Sequence, residues 1–328
     1  MKKLLLTGVP GWLTDALLYS LAVDPPAEVE EVRSLVLPGG RIPSLPTSRV
    51  RFSLYAGRLE NPLDMAAATE GCDTVLHAAG LLHVRRTTDW YRVNTDGTRR
   101  IVEAAIQAGT QRFVFISTNA AAGRASCSDD LMSESAPPRP LSHYGRSKLL
   151  AEQIVLAAPF EGVVLRPCMF YGPPVPARHV EIYKRILTSR MPLIGHGNYA
   201  RSLTHIDNLV QACRLALVHP KAIGQVYYIA DEPVYTTRRV VEAMAAALDT
   251  SVQFWRLPAL TAPMAYYGDR ALAAAGIYWQ TLHLVGEANW HVGVSIAKAQ
   301  TELGYIPLVT LEAGMRRAIQ WCRDHKLL

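Results

Sequence analysis

Two side chains four residues apart carry the first chemical signal in this sequence. Tyr144 and Lys148, in Tyr144-Gly145-Arg146-Ser147-Lys148, share one face of a helix, because residues four apart are neighbours on its surface. An ammonium beside a phenol favours the phenolate and lowers a pKa that starts near ~10. The pair is therefore a candidate proton donor and acceptor near neutral pH. Upstream, Arg112-Phe113-Val114-Phe115-Ile116 reads as a buried strand that brings two hydroxyls, Ser117 and Thr118, to its end. A rigid loop, Pro137-Pro138-Arg139-Pro140, separates them from the helix of Tyr144. The plain structural alternative is a half-buried helix tyrosine capped by a lysine.

A second signal opens the chain. Leu4-Leu5-Leu6 is an apolar run, residues 7–14 form a Gly-rich turn, and Asp15-Ala16-Leu17-Leu18 begins a helical pattern. Strand, turn and helix in that order are the start of a dinucleotide-binding βαβ unit. Gly8 allows the tight turn, and Gly11 removes a Cβ where backbone must approach a pyrophosphate. The helix beyond offers unpaired N–H groups and a positive dipole end to that anion. A third glycine would stand at Thr14, a side chain small enough to be tolerated there. An ordinary turn before a helix has the same letters, so the elements downstream must decide.

Those elements alternate through the first half of the chain. Strands are expected at residues 32–37, 50–54, 74–80, 112–117 and 162–166, and helices at 94–108 and 144–157. Such alternation predicts an α/β fold, a doubly wound parallel sheet with helices on both faces. After Pro167 the rhythm breaks, with helices expected at 180–189 and 236–248 and short strands at 203–206 and 226–229. The expected division is a dinucleotide-binding domain over 1–166, its last sheet elements returning near 201–230. A smaller interleaved substrate-binding part then covers 167–200 and 231–328.

Composition removes several function classes. With 328 residues, 49% hydrophobic and 19% charged, the chain has ample material for a core and reads as a soluble globular protein. The net charge of +6 is mild and suits an anionic cofactor, while no Lys/Arg block reads as a nucleic-acid tail. Five cysteines, Cys72, Cys127, Cys168, Cys213 and Cys322, form no CxxC pair and no zinc spacing with histidines. Reduced thiols and a cytoplasmic location are the expectation, with no metal. Gly8, Pro10 and Gly11 interrupt the opening apolar run too early for a signal peptide. No apolar stretch reaches the roughly 18 residues of a membrane span.

The ordered set of these stretches resembles the extended short-chain dehydrogenase/reductase family, within the NAD-dependent epimerase/dehydratase superfamily, along nearly the whole chain. Its 3β-hydroxysteroid dehydrogenase, sterol dehydrogenase and dihydroflavonol reductase members look closest. Further matching stretches run from Asp73 to Ala79, Asn94 to Thr98, Leu165 to Pro173 and Lys298 to Tyr305. The resemblance implies a Rossmann-type fold and an NAD(P)-dependent enzyme. It assigns Tyr144 as general acid/base and Lys148 as ribose ligand and pKa depressor. The family's catalytic hydroxyl lies five residues before the glycine that ends the loop after the strand. Counting back from Gly123 gives Thr118 for the substrate oxygen and leaves Ser117 as a strand-end residue.

For the cofactor the resemblance implies contacts from Gly8, Gly11, Trp12 and Leu13 in the first turn. Leu37 and Arg41 follow the second strand, and Arg58 and Leu59 the third. His77, Ala78 and Ala79 pass by main chain, and Pro167 and Met169 border the nicotinamide. A packed strand-end histidine explains His77 equally well. The adenosine half departs from the family pattern. Where the family places an Asp for the ribose stand Leu37-Pro38-Gly39-Gly40 with Arg41 beyond, and the Asp that meets adenine is Arg58. Two lost Asp with Arg nearby lean towards NADP over NAD, unless both arginines are ordinary solvated loop residues.

Residues 257–286 are rich in Ala, Leu, Tyr and Trp, with only Asp269 and Arg270 charged up to that glycine. They read as a helix pair on the sheet domain, as an apolar wall or lid for a lipophilic alcohol or ketone, or as a shallow membrane-surface contact. The expected partner is thus a lipophilic small molecule, with no nucleic acid and a homodimer compatible with the resemblance. Against it, Tyr199 to Asp207 is similar to a segment of nucleotide-sugar epimerases whose Arg, aligned on Arg201, grips a diphosphate. An NAD(P)-dependent oxidoreductase is the first expectation. A nucleotide-sugar epimerase or dehydratase with tightly bound NAD is the second. A non-catalytic dinucleotide sensor is disfavoured by the intact Thr118–Tyr144–Lys148 set, and no G-x-S-x-G elbow supports a hydrolase.

Overall fold

The computed structural model describes residues 1–188 and 190–328. The strands are β1 (Lys3–Val9), β2 (Glu31–Val36), β3 (Arg51–Ala56), β4 (Thr74–His77), β5 (Arg112–Ile116) and β6 (Glu161–Pro167). Seven short ones follow: β7 (Met169–Tyr171), β8 (Met191–Ile194), β9 (Ala200–Arg201), β10 (Leu203–His205), β11 (Val226–Ile229), β12 (Tyr235–Thr236) and β13 (Phe254–Leu257). The helices of the first half are α1 (Trp12–Val23), α2 (Pro62–Thr69), α3 (Thr87–Trp90), α4 (Asp96–Gln107) and α5 (His143–Leu156). Those of the second half are α6 (Ala177–Thr188), α7 (Ile206–Val218), α8 (Thr237–Ala247), α9 (Thr261–Ala274), α10 (Gln280–Glu287), α11 (Ala297–Leu303) and α12 (Leu311–Asp324). The helix expected at 180–189 therefore begins three residues earlier, and its last position, Ser189, lies outside the described residues.

Seven parallel strands form the central sheet in the order β11-β6-β5-β4-β1-β2-β3, an α/β fold of Rossmann type. Successive side chains of a strand point to opposite faces, and β1 shows why this one is buried on both. Leu4 and Leu6 enter the core on the α1–α7 side, while Leu5 enters the core with α2, α4 and α5. The strand order reverses between β1 and β4. In such sheets ligands bind in the crevice outside the carboxyl ends at that point. Of the two short strands expected after residue 200, only Val226–Ile229 joins the sheet. Leu203–His205 pairs instead with Met169–Tyr171, outside it. The reason lies in Asp231, buried with its carboxylate on the N–H of His205, the Asn208 amide and the Tyr171 hydroxyl. It ties these two strands into a separate layer.

Candidate active site

The first turn is tighter than the sequence suggests. Strand β1 runs to Val9 and α1 starts at Trp12, so Thr14 lies inside the helix rather than in the turn. Its buried hydroxyl donates to the carbonyls of Gly8 at 2.8 Å and Gly11 at 3.1 Å, so the residue in the third glycine slot ties the turn together. Gly8 has φ +87°, and a Cβ there would stand 2.8 Å from the carbonyl carbon of Ala78. A Cβ on Gly11 would stand 2.4 Å from the carbonyl oxygen of Gly8. No side chain caps α1, so the amides of its first turn, at Trp12 and Leu13, remain available for an anion. Leu13 itself is buried. A cradle without room for side chains, ending in uncapped amides at the crevice, fits a dinucleotide pyrophosphate.

Strands β2 and β3 lie side by side with Val36 opposite Ala56. The loops that follow them are therefore neighbours at the carboxyl edge. Leu37 (59% exposed), Arg41 and Arg58 are all exposed there, and the Arg58 N–H donates to Asp64. Leu59 turns inwards and packs in the core. At the end of β4, His77 is fully buried, with ring nitrogens 2.7 Å from Thr7 Oγ1 and 3.1 Å from Thr98 Oγ1. It stacks on Phe115, and burial pushes its pKa down to about 3. The imidazole is a neutral packing group, while Ala78 and Ala79 adjoin Gly8 through their backbone.

The hydroxyl, phenol and ammonium come together at the end of β5. Ser142 caps α5 by accepting from the Gly145 N–H, which sets the orientation of the helix that carries both Tyr144 and Lys148. Thr118 lies beside Tyr144, where its hydroxyl offsets part of the rise in the phenol's pKa, and it accepts from the Ala120 N–H at 3.2 Å. Lys148 Nζ donates to the carbonyl of Ile116 at 2.7 Å and stands 4.1 Å over the Phe115 ring. Burial dominates both titrations, raising Tyr144 to about 12 and lowering Lys148 to about 7. The phenol thus stands above its ordinary value, against the lowering expected from Lys148. One of the Lys148 donors goes to Ile116, and the group that lowers Tyr144 is Thr118. The neighbouring Ser117 faces the other way, donating to buried Glu152, which also holds Arg166 at 2.6 and 2.9 Å. Pro167 is buried at the end of β6, and Met169 is 55% exposed just beyond it.

Several residues without a role in the sequence reading hold this arrangement. Asn94 accepts from the Leu81 N–H and donates to the Leu81 carbonyl and to Ser147 Oγ, fastening the loop after β4 to α5. Trp90 lies against Tyr144, with ring centres 6.1 Å apart, and against Tyr278, 4.7 Å apart. Only tertiary contact joins these three, so sequence spacing gave no sign of it. Residues 257–286 form the antiparallel pair α9–α10, reaching the site through Tyr278 and exposing Met264, Tyr267 and Trp279. Arg201 is directed at this pair. It donates to Thr237 Oγ1 at 3.1 Å and to the carbonyls of Glu287 and Ala288 at 3.0 Å each.

Residues 4–230 match the model of the NAD dependent epimerase/dehydratase family. The chain belongs to that family. Among its relatives is the 4-hydroxy-2-methyl-3-oxo-4-farnesyl-3,4-dihydroquinoline-1-oxide ketoreductase of Stigmatella aurantiaca, 31% identical over 79% of this chain and 80% of the relative. The 3-beta-hydroxysteroid dehydrogenase of Mycolicibacterium neoaurum is 28% identical over 98% and 92%. The crystal structure of a dTDP-glucose 4,6-dehydratase from Streptomyces venezuelae, with NAD bound, shares the fold. Its TM-score is 0.77 at 23% identity, over 99% of this chain and 98% of that one. This member of the epimerase/dehydratase family is accordingly an NAD-dependent enzyme of the extended short-chain type. Among the described residues no helix is long and apolar enough to cross a membrane.

Proposed function

We propose that this enzyme interconverts a hydroxyl and a ketone on a lipophilic, steroid-, sterol- or flavonoid-like substrate. The observation that carries the reading is the half-buried Tyr144 phenol beside Thr118, one helical turn from Lys148, at the carboxyl end of β5. Thr118 holds the substrate oxygen, Tyr144 gives it a proton on reduction or takes one on oxidation, and Lys148 holds the nicotinamide ribose. The bound dinucleotide supplies the hydride acceptor or donor. A phenol near 12 keeps its proton at neutral pH and suits the donor role.

Two features support an apolar substrate. The wall next to Tyr144 is aromatic, built from Trp90 and Tyr278. Arg201, which could meet a diphosphate, is partly buried and gives Nε to Thr237 and Nη2 to the carbonyls of Glu287 and Ala288. The names of the two relatives, a farnesyl-quinoline ketoreductase and a hydroxysteroid dehydrogenase, point the same way. For the cofactor we favour NADP. Arg41 and Arg58 stand on adjacent loops at the adenosine end, and neither loop supplies an Asp at the expected position for a ribose hydroxyl.

The test is a panel of hydroxysteroids, flavonoid-like ketols and nucleotide sugars, followed through nicotinamide absorbance with NADP and NAD. Turnover of a lipophilic member is expected. Tyr144→Phe should lose about 10²–10⁴ in rate while cofactor affinity stays within a few-fold. Turnover by that variant above a tenth of the parent's overturns the role of Tyr144. Activity confined to nucleotide sugars, with NAD tightly bound to the purified protein, overturns the substrate class.

A further inference from the structure

Helix α9 turns an apolar stripe to the outside. Leu260, at its N-cap, then Met264 and Tyr267 follow one another at four and three residues, on one face, and are 72%, 74% and 70% exposed. The opposite face is the packed one, with Ala262 and Ala265 buried and Asp269 turned to His283 of α10 at 2.8 Å. Ile277 and Trp279, in the connection to α10, and Leu284 on α10 are each more than half exposed. Single apolar residues on a surface need no explanation, whereas a stripe of large ones on one helix pair marks an interaction surface. The charge around it has a single sign. In residues 82–88 and 254–286 the only acid is Asp269, which His283 already holds, whereas Arg85, Arg86, Arg256 and Arg270 are exposed. The first two belong to this surface because the Arg85 carbonyl accepts from the Tyr278 N–H and Arg86 bridges to Ile277.

We propose that the α9–α10 pair docks the enzyme on an anionic lipid bilayer, with its apolar stripe in the interface and the arginines over the lipid phosphates. The contact lies on the bilayer without crossing it, since no described helix is long and apolar enough to span one. Each part of the surface has a counterpart there. Tyr and Trp settle at headgroup level, Leu and Met enter below it, and cationic side chains near the surface are drawn to anionic lipid. A second copy of the chain fits less well, because an isologous pair puts two sets of the same four arginines into one interface. The surface also adjoins the candidate site, for Tyr278, between Ile277 and Trp279, packs on Trp90 beside Tyr144. The inference goes beyond the oxidoreductase reading, and its test needs no turnover.

The experiment is co-sedimentation of the full chain with vesicles of phosphatidylcholine alone and of phosphatidylcholine with an equal part of phosphatidylglycerol, at low and at physiological salt. The parent should bind the anionic vesicles about tenfold or more tightly than the neutral ones, an advantage that shrinks as salt screens it. Leu260→Ser with Met264→Glu should weaken that binding by about tenfold or more, since it removes apolar area and carries a charge into the interface. Both side chains are exposed, so the variant should unfold at the parent's temperature. Should it not fold, Arg85→Gln with Arg256→Gln carries the test, and should remove most of the preference for anionic vesicles. No binding of the parent to anionic vesicles, or binding that neither double substitution weakens, overturns the proposal. So does light scattering that finds a dimer split by Leu260→Ser with Met264→Glu, which assigns the surface to a second copy. Vesicle binding together with activity confined to nucleotide sugars keeps the docking surface and refutes the substrate class alone.

Discussion

Arg201 separates the two substrate classes through stability rather than through catalysis. It is partly buried, desolvation pushes its pKa down to about 10, and it makes three hydrogen bonds of 3.0–3.1 Å. Two of the acceptors are the last carbonyls of α10, which carry the negative end of the helix dipole. Replacing Arg201 by Ala leaves two carbonyls and one hydroxyl at a partly buried site without their donor. At about 1 kcal/mol for each lost bond, with some offset from relaxation, the cost comes to about 3 kcal/mol. For a chain of 328 residues, at about 2.1 cal/mol/K of unfolding entropy per residue, that corresponds to a fall in Tm of roughly 4–5 °C. Thermal unfolding followed by circular dichroism reads it directly, and calorimetry with UDP on the same samples reads the alternative. The structural role predicts a lower Tm and no UDP binding to either protein. An unchanged Tm, together with UDP binding that Arg201→Ala abolishes, would refute this reasoning and make Arg201 a diphosphate ligand.

Thr118→Ala should lower kcat more than Ser117→Ala, because Thr118 lies beside Tyr144 whereas Ser117 donates to Glu152; steady-state kinetics giving the reverse order would reassign the hydroxyl. Replacing Arg41 or Arg58 by Ala should weaken NADP by about 1–3 kcal/mol, the scale of a hydrogen bond to a charged group, and leave NAD unchanged; titrations showing equal effects on both cofactors would return the arginine to solvent. Lys148 has its folded pKa lowered from 10.5 to about 7, so between those values the unfolded chain binds more protons there than the native one. Its contribution to stability therefore rises with pH from about 7 to about 10.5. Denaturation of the cofactor-free protein should show Lys148→Met losing ground to the parent across that window, and a difference independent of pH would contradict it.

What the sequence disclosed and what it withheld divide along the length scale of the contacts. Tyr144 and Lys148 were legible because one helix brings them together, and the alternation of strand and helix signals was enough for the sheet. Thr14 was read as merely tolerated, since its bonds to Gly8 and Gly11 depend on where the helix begins. Segment likeness aligned Arg201 with a diphosphate ligand, but the carbonyls it meets lie 86 and 87 residues further along the chain. The pKa of Tyr144 was missed for a different reason. Spacing records that a cation is near, whereas burial decides the sign of the shift. Trp90 left no trace at all, because its partners are on α5 and just before α10.

The position of β11 also shapes how this protein is made. Strand β6 is complete at Pro167, but its outer neighbour ends only at Ile229, after a long excursion through α6, β7–β10 and α7. At about 5–20 residues per second, a ribosome needs about 3–12 s to cover that interval. Throughout it the edge of β6 at Val164–Pro167 has no partner, and the face of α1 that α7 later covers, where Arg214 reaches Asp24, is open to solvent. A nascent chain paused near residue 200 thus displays a free parallel edge beside apolar surface, the features that recruit chaperones and proteases. The speed of translation between residues 167 and 229 sets the length of that exposure.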